Sequence, residues 1–156
     1  MTFSRRAFLA TAAAACAAPA AFAAAPGKFE VVRTPQDWRR RLGAERYAVL
    51  REEHTERPGT SPLNREKRRG TYNCAGCALP LYPSTTKFES GTGWPSFYAP
   101  LPNAVRTRRD TSLSSVRTEV HCRRCGGHLG HVFDDGPRPT GKRYCMNGLA
   151  MTFTAA

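Results

Sequence analysis

The sequence predicts a mainly β domain of small antiparallel sheets, with short helices at its amino end and clustered cysteines that hold it together. Three observations support this fold class. The chain has 156 residues, which is enough for one domain with a real core but not for two. Beyond residue 70 it consists of short β-type runs separated by glycine, proline and asparagine. Four cysteines occur as two Cys-x-x-Cys pairs, a staple that such short strands need.

The helices are predicted just before residue 53. Thr34-Pro35 is a helix-start signal, a capping hydroxyl followed by proline. Apolar residues then recur at helical spacing until Gly43 interrupts, and the pattern restarts over Glu45–Glu52. We therefore expect two short helices, and then a loop from Arg57 to Gly70. Seven strands are expected after the loop: Thr71–Asn73, Leu79–Tyr82, Val105–Arg108, Val116–Val120, His131–Phe133, Arg143–Met146 and Leu149–Phe153.

The first 23 residues have the composition of a targeting segment. Arg5-Arg6 directly precedes an apolar run dominated by alanine, which resembles a twin-arginine export signal. The run is too short to span a bilayer comfortably. Small residues in Ala21-Phe22-Ala23 predict signal-peptidase cleavage after Ala23. A retained membrane anchor and lipidation at Cys16 are the alternatives.

The predicted organisation is a signal peptide at 1–23, a linker at 24–34 and one domain at 35–156. We expect a periplasmic protein, or else a secreted or envelope-associated one, with no stable membrane span after cleavage. The formal net charge is +12, and loss of the signal lowers it by two because two arginines and no acid leave. A basic charge favours anionic surfaces but does not fix a function. Nucleic acid is not an expected partner of an exported protein.

The two cysteine pairs predict a metal site. Cys74 and Cys77 share one spacing with Cys122 and Cys125, and each spacing suits two corners of a zinc tetrahedron. Gly76 and a glycine after the second pair suit the backbone reversals of such turns. Four sulfur ligands leave no open position, so we expect one structural zinc ion. Local disulfides or a thioredoxin-like redox pair are the alternatives.

Cys145 is the odd cysteine, and an unpaired thiol in an exported protein calls for a reactive or intermolecular role. Arg143 and Asn147 flank it at two residues on either side, where they can stabilise a thiolate. His128 and His131 follow the second cysteine pair and can supply a proton near neutral pH. On residue type alone, a buried structural cysteine is the favoured interpretation of Cys145, and the histidines could be metal ligands or structural.

Five short blocks resemble the methionine sulfoxide reductase B family, in that family's order. The blocks are Gly93-Trp94-Pro95-Ser96-Phe97, Arg117-Thr118-Glu119-Val120-His121-Cys122, His128-Leu129-Gly130-His131-Val132-Phe133, Asp135-Gly136-Pro137 and Arg143-Tyr144-Cys145-Met146-Asn147. Thr55-Glu56-Arg57-Pro58 fits as well, and the likeness runs from about residue 35 to the end. It implies two antiparallel sheets with helices at the amino end.

The resemblance also implies residue roles. Cys145 would be the nucleophile, and His128 and His131 would bind and protonate the sulfoxide oxygen. The remaining roles are thiolate support by Arg143 and Asn147, and substrate binding by Trp94 and Phe97, with Trp94 as an apolar wall for the substrate methyl group. The B family acts on the R epimer of methionine sulfoxide, as free amino acid or within oxidised proteins, and passes through a cysteine sulfenic acid.

Many members of that family carry a second cysteine just before the Gly-Trp-Pro-Ser-Phe block, and Thr92 occupies that position here. We therefore expect a one-cysteine enzyme whose sulfenic acid is reduced by an external thiol or a thioredoxin-like protein, in oxidative-damage repair. The main rival is a basic zinc domain that binds an anionic polymer, with Cys145 merely buried.

Overall fold

The structure is a computed structural model that describes residues 29–156. The predicted signal peptide, and the predicted linker as far as residue 28, lie outside the described residues. Within the described part, one α-helix precedes nine strands that form two antiparallel sheets. The predicted fold class is confirmed. Among these residues, no helix has the length and apolar character that a membrane span requires.

Helix α1 (Pro35–Glu52) begins at the predicted signal. The Thr34 side chain caps it by accepting a hydrogen bond from the Asp37 N–H at 3.1 Å. Gly43 has φ 72° and breaks the regular helical backbone, a conformation that glycine adopts without a Cβ clash. The two predicted helices are therefore the two halves of α1. Five of its side chains are buried against the sheets: Trp38, Leu42, Tyr47, Val49 and Leu50.

The strands follow in the order β1 (Gly70–Cys74), β2 (Pro80–Pro83), β3 (Lys87–Phe88), β4 (Ser96–Phe97), β5 (Val105–Asp110), β6 (Arg117–Cys122), β7 (His128–Phe133), β8 (Arg143–Met146) and β9 (Met151–Ala155). The smaller sheet has the order β2-β1-β9, and the larger has the order β3-β4-β8-β7-β6-β5. Neighbouring strands are antiparallel throughout. The last strand thus pairs with the first, which closes the domain.

Each of the seven predicted strands overlaps an observed one. Strands β3 and β4 were not predicted, because two residues are too few to show an alternation of apolar and polar side chains. The strand predicted to begin at Leu149 begins two residues later, at Met151, because Gly148–Ala150 forms a 3-10 turn. That turn follows β8 closely and lines a groove beside the site described below.

Three buried aromatic rings join the two sheets. Tyr72 of β1 and Tyr82 of β2 both pack on Phe97 of β4, with ring centroids 4.9 and 4.4 Å apart. The Tyr82 hydroxyl donates to the Met146 sulfur at 3.2 Å, so β8 is tied to the same cluster. Truncating Phe97 to alanine would cost about 3–5 kcal/mol. This cluster fixes β4 and β8 side by side.

Candidate active site and structural zinc site

Two similar turns bring the paired cysteines together. The first cysteine of each pair ends a strand, β1 or β6, and the second lies in the turn that follows. In the first turn the Ala78 N–H donates to the Cys74 carbonyl at 2.8 Å, and in the second the Gly126 N–H donates to that of Cys122 at 2.9 Å. Ala78 and Gly126 have positive φ, 58° and 67°. The first reversal is thus at Ala78 and not at Gly76.

The four sulfurs have the spacing of a metal tetrahedron. The Sγ atoms of Cys74 and Cys125 are 3.7 Å apart, and those of Cys77 and Cys122 are 3.5 Å apart. All four lie within 4.8 Å of one another, and none is in a disulfide. Zinc–sulfur bonds of about 2.3 Å at tetrahedral angles place sulfurs about 3.8 Å apart. The quartet therefore fits the predicted structural zinc ion.

The four sulfurs lie too close together to carry uncompensated negative charges, because all are within 4.8 Å of one another. Four thiolates so close together need a shared cation, and zinc supplies two positive charges. With four sulfur ligands such a site is closed, so it staples the turns and offers no position to a substrate.

Cys145 is the third of the four residues of β8, and both neighbouring strands pair with it. It is opposite Ser96 of β4 on one side and His131 of β7 on the other. Its sulfur is half-buried and 3.8 Å from the Thr92 hydroxyl oxygen. A cavity of about 130 Å³ opens above it, with walls formed by Thr55, Trp94, Arg117, Gly130, His131, Phe133, Cys145 and Asn147. The cavity is large enough for a methyl sulfoxide group.

Gly130 makes this arrangement possible. A Cβ at this position would lie 2.1 Å from the Cys145 carbonyl oxygen, so only glycine allows β7 to approach β8 this closely. The approach brings His131 opposite Cys145 on the same face of the sheet. The glycine between the two histidines therefore sets the distance between the sulfur and its neighbouring imidazole.

The two histidines occupy different environments, and each is bound to a carboxylate. His131 lines the cavity, and its Nε2 is 2.7 Å from an Asp110 carboxylate oxygen. Burial lowers the pKa of His131 below its ordinary 6.5, although the Asp110 hydrogen bond acts in the opposite direction. His128 is 2% exposed and does not line the cavity; its Nδ1 is 2.8 Å from Glu119 Oε1. The ring centroids of the two histidines are 5.4 Å apart.

Arg143 and Asn147 lie on either side of Cys145, as predicted from their spacing. Arg143 forms a bidentate ion pair with Asp135, both contacts 2.8 Å, and lies over the Phe133 ring at 4.4 Å. The pKa of Arg143 is raised, chiefly by Asp135, with a smaller contribution from the Cys145 sulfur. Asn147 is buried and lines the cavity. A cation and an amide thus border the thiol.

The aromatic residues divide between the cavity and the core. Trp94 forms a wall of the cavity, and its indole N–H donates to the Glu56 carbonyl at 3.1 Å. Phe97 does not reach the cavity, because its side of β4 faces Tyr82 in the core. Phe97, expected to bind substrate, is therefore placed in the core and apart from the cavity. Phe133, which the sequence did not single out for this role, lines the cavity instead.

Comparison with known proteins places this chain in a family. The family model described as the SelR domain matches residues 42–155. A peptide methionine sulfoxide reductase MsrB of Pseudomonas putida (strain W619) is 54% identical over 125 residues, which cover 80% of this chain and 94% of that protein. This chain belongs to the SelR (MsrB) family. The MsrB protein of Agrobacterium fabrum (strain C58 / ATCC 33970) is 52% identical, also over 125 residues, covering 80% and 93% of the two chains.

The likeness extends to plants. The protein named peptide methionine sulfoxide reductase B1, chloroplastic, of Arabidopsis thaliana is 52% identical over 120 residues, or 76% of this chain and 59% of the plant protein. The matched stretches run to over three quarters of this MsrB-family chain. The family model alone covers both cysteine pairs, the Cys145 cavity and all nine strands.

Sequence reasoning missed the two carboxylates of this MsrB-type site. Asp110 and Glu119 stand 21 and 9 residues from the histidines that they contact, and only the pairing of β5, β6 and β7 brings them together. Arg117, which pairs with Asp110 at 2.7 Å, was also missed as a cavity residue. Alternation along the paired strands was the available signal, but it needed the register to be known.

A larger groove of about 750 Å³ lies beside the site and meets it at Thr55. Loop residues before β1 line it on one side, and Gly148 and Leu149 line it on the other. It contains no cysteine or histidine. The candidate active site is therefore the smaller cavity, in which a thiol, an imidazole and an amide meet.

Proposed function

We propose that this protein reduces the R epimer of methionine sulfoxide to methionine, with Cys145 as the nucleophile. Membership in the MsrB family supports the reaction class. The observation that carries the assignment of residues is the cavity that joins the Cys145 thiol, the His131 imidazole and the Trp94 ring. An aromatic wall suits the substrate methyl group, and polar donors suit its oxygen. A basic polymer-binding domain would have no use for such a cavity.

In the proposed reaction, the Cys145 thiolate attacks the sulfoxide sulfur while His131 delivers a proton to the oxygen. The attack forms a bond between the two sulfurs, and this bond and the substrate S–O bond then break as the hydroxyl moves to the Cys145 sulfur. Cys145 becomes a sulfenic acid and is oxidised by two electrons. The substrate sulfur is reduced by the same two electrons and leaves as the thioether. His128 is buried behind His131, so it acts on the reaction through the His131 imidazole. Arg143 and Asn147 stabilise the thiolate.

Turnover then requires an external reductant. Two thiol groups return Cys145 to its thiol, with one water and one disulfide as products. The other cysteines of residues 29–156 belong to the quartet, and Thr92 stands where a second cysteine would resolve the sulfenic acid. We assign this protein to the one-cysteine type, served by a thioredoxin-like protein or another thiol. Free methionine sulfoxide and oxidised proteins both offer the group that the cavity fits.

The test uses the zinc-loaded protein and a peptide with one methionine sulfoxide of defined epimer. With no reductant present, each protein molecule should form one methionine from the R epimer and none from the S epimer. A sulfenic-acid probe such as dimedone should then label Cys145. Cys145→Ser should lose at least about 10⁴-fold in kcat/KM while it retains its zinc. Unchanged activity of that variant, or equal reduction of both epimers, would contradict the proposal.

We also propose that the protein is exported to the periplasm and repairs oxidised envelope proteins. Arg5-Arg6 and the alanine-rich run support this, since export of a folded chain would let zinc bind before an oxidising compartment is reached. Replacing both arginines by lysine should retain the full-length chain in the cytoplasm. Fractionation followed by amino-terminal sequencing measures this, and export of the double variant with cleavage unchanged would contradict it.

A further inference from the structure

Glu56 is a buried carboxylate that the proposed reaction does not use. It lies in the loop that follows α1 and is 8% exposed. Its two oxygens accept hydrogen bonds from the backbone N–H groups of Gly148 and Leu149, at 2.6 and 2.8 Å. Within residues 29–156 no basic side chain lies within ion-pair distance of it. Backbone donors alone therefore balance this buried charge, and they belong to the turn directly after β8.

The backbone of Glu56 contacts two walls of the cavity. Its N–H donates to the Asn147 side-chain oxygen at 3.0 Å, and its carbonyl accepts the Trp94 indole N–H at 3.1 Å. One residue thus makes four hydrogen bonds, two through its side chain and two through its backbone. Two of them reach cavity residues that flank the thiol, and two hold the turn that follows Asn147.

The contact with Asn147 fixes which way its amide points. The Asn147 oxygen faces the Glu56 N–H, and its nitrogen donates to the Leu129 carbonyl at 3.2 Å. An amide nitrogen carries two hydrogens, and this bond uses one. The second N–H is left for the cavity, which Asn147 lines. A flipped amide would turn an acceptor toward the substrate oxygen and two donors toward the Glu56 N–H.

The loop that carries Glu56 and the turn after β8 pack closely against each other. A Cβ at Gly148 would lie 1.9 Å from the Ser61 hydroxyl oxygen and 3.3 Å from Glu56 Oε1. The loop that carries Glu56 and Ser61 therefore sits directly on the backbone after β8, with no room for a side chain between them. Movement of Glu56 would be transmitted to the turn.

We propose that Glu56 is a positioning residue of the reductase site, which holds Asn147 and Trp94 in the orientation that receives the sulfoxide. The inference rests on the proposed function for its kinetic test. Charge is part of the role: glutamine would set an amide N–H₂ against one backbone N–H and lose a charge-assisted hydrogen bond. We expect Glu56→Gln to lower kcat/KM about tenfold, the effect of one such bond.

The experiment compares Glu56→Gln with Glu66→Gln in the zinc-loaded full chain. Glu66 is a matched control, since it lies in the same loop and also accepts hydrogen bonds, from the backbone and side chain of Arg68, but does not contact the site. Its variant should keep kcat/KM unchanged. Glu56→Asp keeps both acceptor oxygens and the charge on a shorter side chain, so it should be intermediate. It also serves as the second variant if Glu56→Gln does not fold.

A double-mutant cycle separates positioning from general stability. Trp94→Phe removes the indole N–H that Glu56 holds, so Glu56→Gln should cost at least about threefold less in that background than in the wild type, as for residues in contact. The same cost in both backgrounds, or a matched loss by Glu66→Gln, would overturn the proposal.

A second measurement does not depend on activity. Proton–nitrogen NMR spectra should show the Trp94 indole and the Asn147 amide protected from exchange in the wild type and exposed in Glu56→Gln, while the Trp38 indole stays unchanged. Unchanged signals of Trp94 and Asn147 would overturn the proposal. If the wild type does not reduce methionine sulfoxide, the proposed function fails, and these signals still decide the role of Glu56.

Discussion

The two kinds of cysteine site differ in where the fold places the sulfur. In the quartet, four sulfurs come from two strand ends and the turns that follow them, and they meet within 4.8 Å. Cys145 lies within β8, which is paired on both sides, and faces a cavity; its cross-strand partners are Ser96 and His131. Two strand ends and their turns can converge on one point and close a metal site. A strand that is paired on both sides instead holds its side chain next to those of the neighbouring strands.

The neighbours therefore decide the chemistry. In the quartet the neighbours of each thiol are the other three thiols, and the space between them suits only a metal cation. At Cys145 the neighbours are an imidazole, an amide, a cation and an aromatic ring. The same side chain is a structural metal ligand where the two sheets' turns meet, and the proposed nucleophile where β8 borders the cavity. Each prediction below tests one side of this contrast.

The largest effect should come from the quartet. Cys122→Ser, or removal of zinc by a chelator, should unfold the domain, because zinc binding to such sites is worth about 10–16 kcal/mol, comparable to the stability of a whole domain. Zinc content and circular dichroism measure this. Cys145→Ser is the control, and it should retain both zinc and fold. A folded, metal-free protein with unchanged thermal stability would remove the distinction between the two sites.

The quartet and most strands could be predicted from sequence, because both depend on local signals. Identical Cys-x-x-Cys spacings reveal two turns, and alternation reveals strands of four residues or more. Strands β3 and β4 have two residues each and carry no such signal. Phe97 shows the limit: its type suited a substrate wall, but only the packing against Tyr82 reveals its place in the core.

The missing parts of the site are long-range contacts. Asp110, Glu119 and Glu56 each contact a site residue across strands or loops that are distant in sequence. Their partners depend on strand register and on one irregularity between β6 and β7, at Val120 and His121. No pattern within a single segment encodes such a register shift. The sequence could thus single out Cys145 as a candidate nucleophile, but not the groups that orient its neighbours.

A thiol at Thr92 should convert the isolated cysteine into one of a pair. The Thr92 hydroxyl oxygen is 3.8 Å from the Cys145 sulfur, and a disulfide of about 2.05 Å needs only a small movement. After reaction with substrate, Thr92→Cys should form an intramolecular disulfide and lose dimedone labelling, which mass spectrometry detects. Ser90→Cys is the control, because the Ser90 hydroxyl hydrogen-bonds to those of Thr92 and Ser96. Dimedone labelling of Cys145 should persist in this variant. Persistent labelling of Thr92→Cys would contradict the prediction.

The carboxylate at His131 should set the pH dependence of the reaction. Asp110 raises the pKa of His131, while burial, the larger cause, lowers it. Asp110→Asn should therefore lower the pKa of His131 further, so that the imidazole loses its proton at a lower pH. The descending limb of kcat against pH should shift to lower pH, with a several-fold loss of kcat at pH 7. Asp134→Asn, at an exposed carboxylate paired with Lys142, is the control. Coincident limbs for wild type and Asp110→Asn would contradict a role for His131 as the acid.

The smallest effect should come from the exposed partner of Arg143. The Asp135 side chain is 62% exposed, although that of Arg143 is only 12% exposed, and solvent around the carboxylate keeps such an ion pair at about 1 kcal/mol. In Asp135→Asn, Arg143 still lies over the Phe133 ring, so its charge stays beside Cys145 with a looser orientation. We expect kcat/KM to fall about threefold or less, whereas Arg143→Gln should lose more because the charge itself is gone. The rate at which iodoacetamide alkylates Cys145 should fall in the same order, less in Asp135→Asn than in Arg143→Gln. A larger loss in Asp135→Asn than in Arg143→Gln would mean that the carboxylate, and not the guanidinium, supports the thiol.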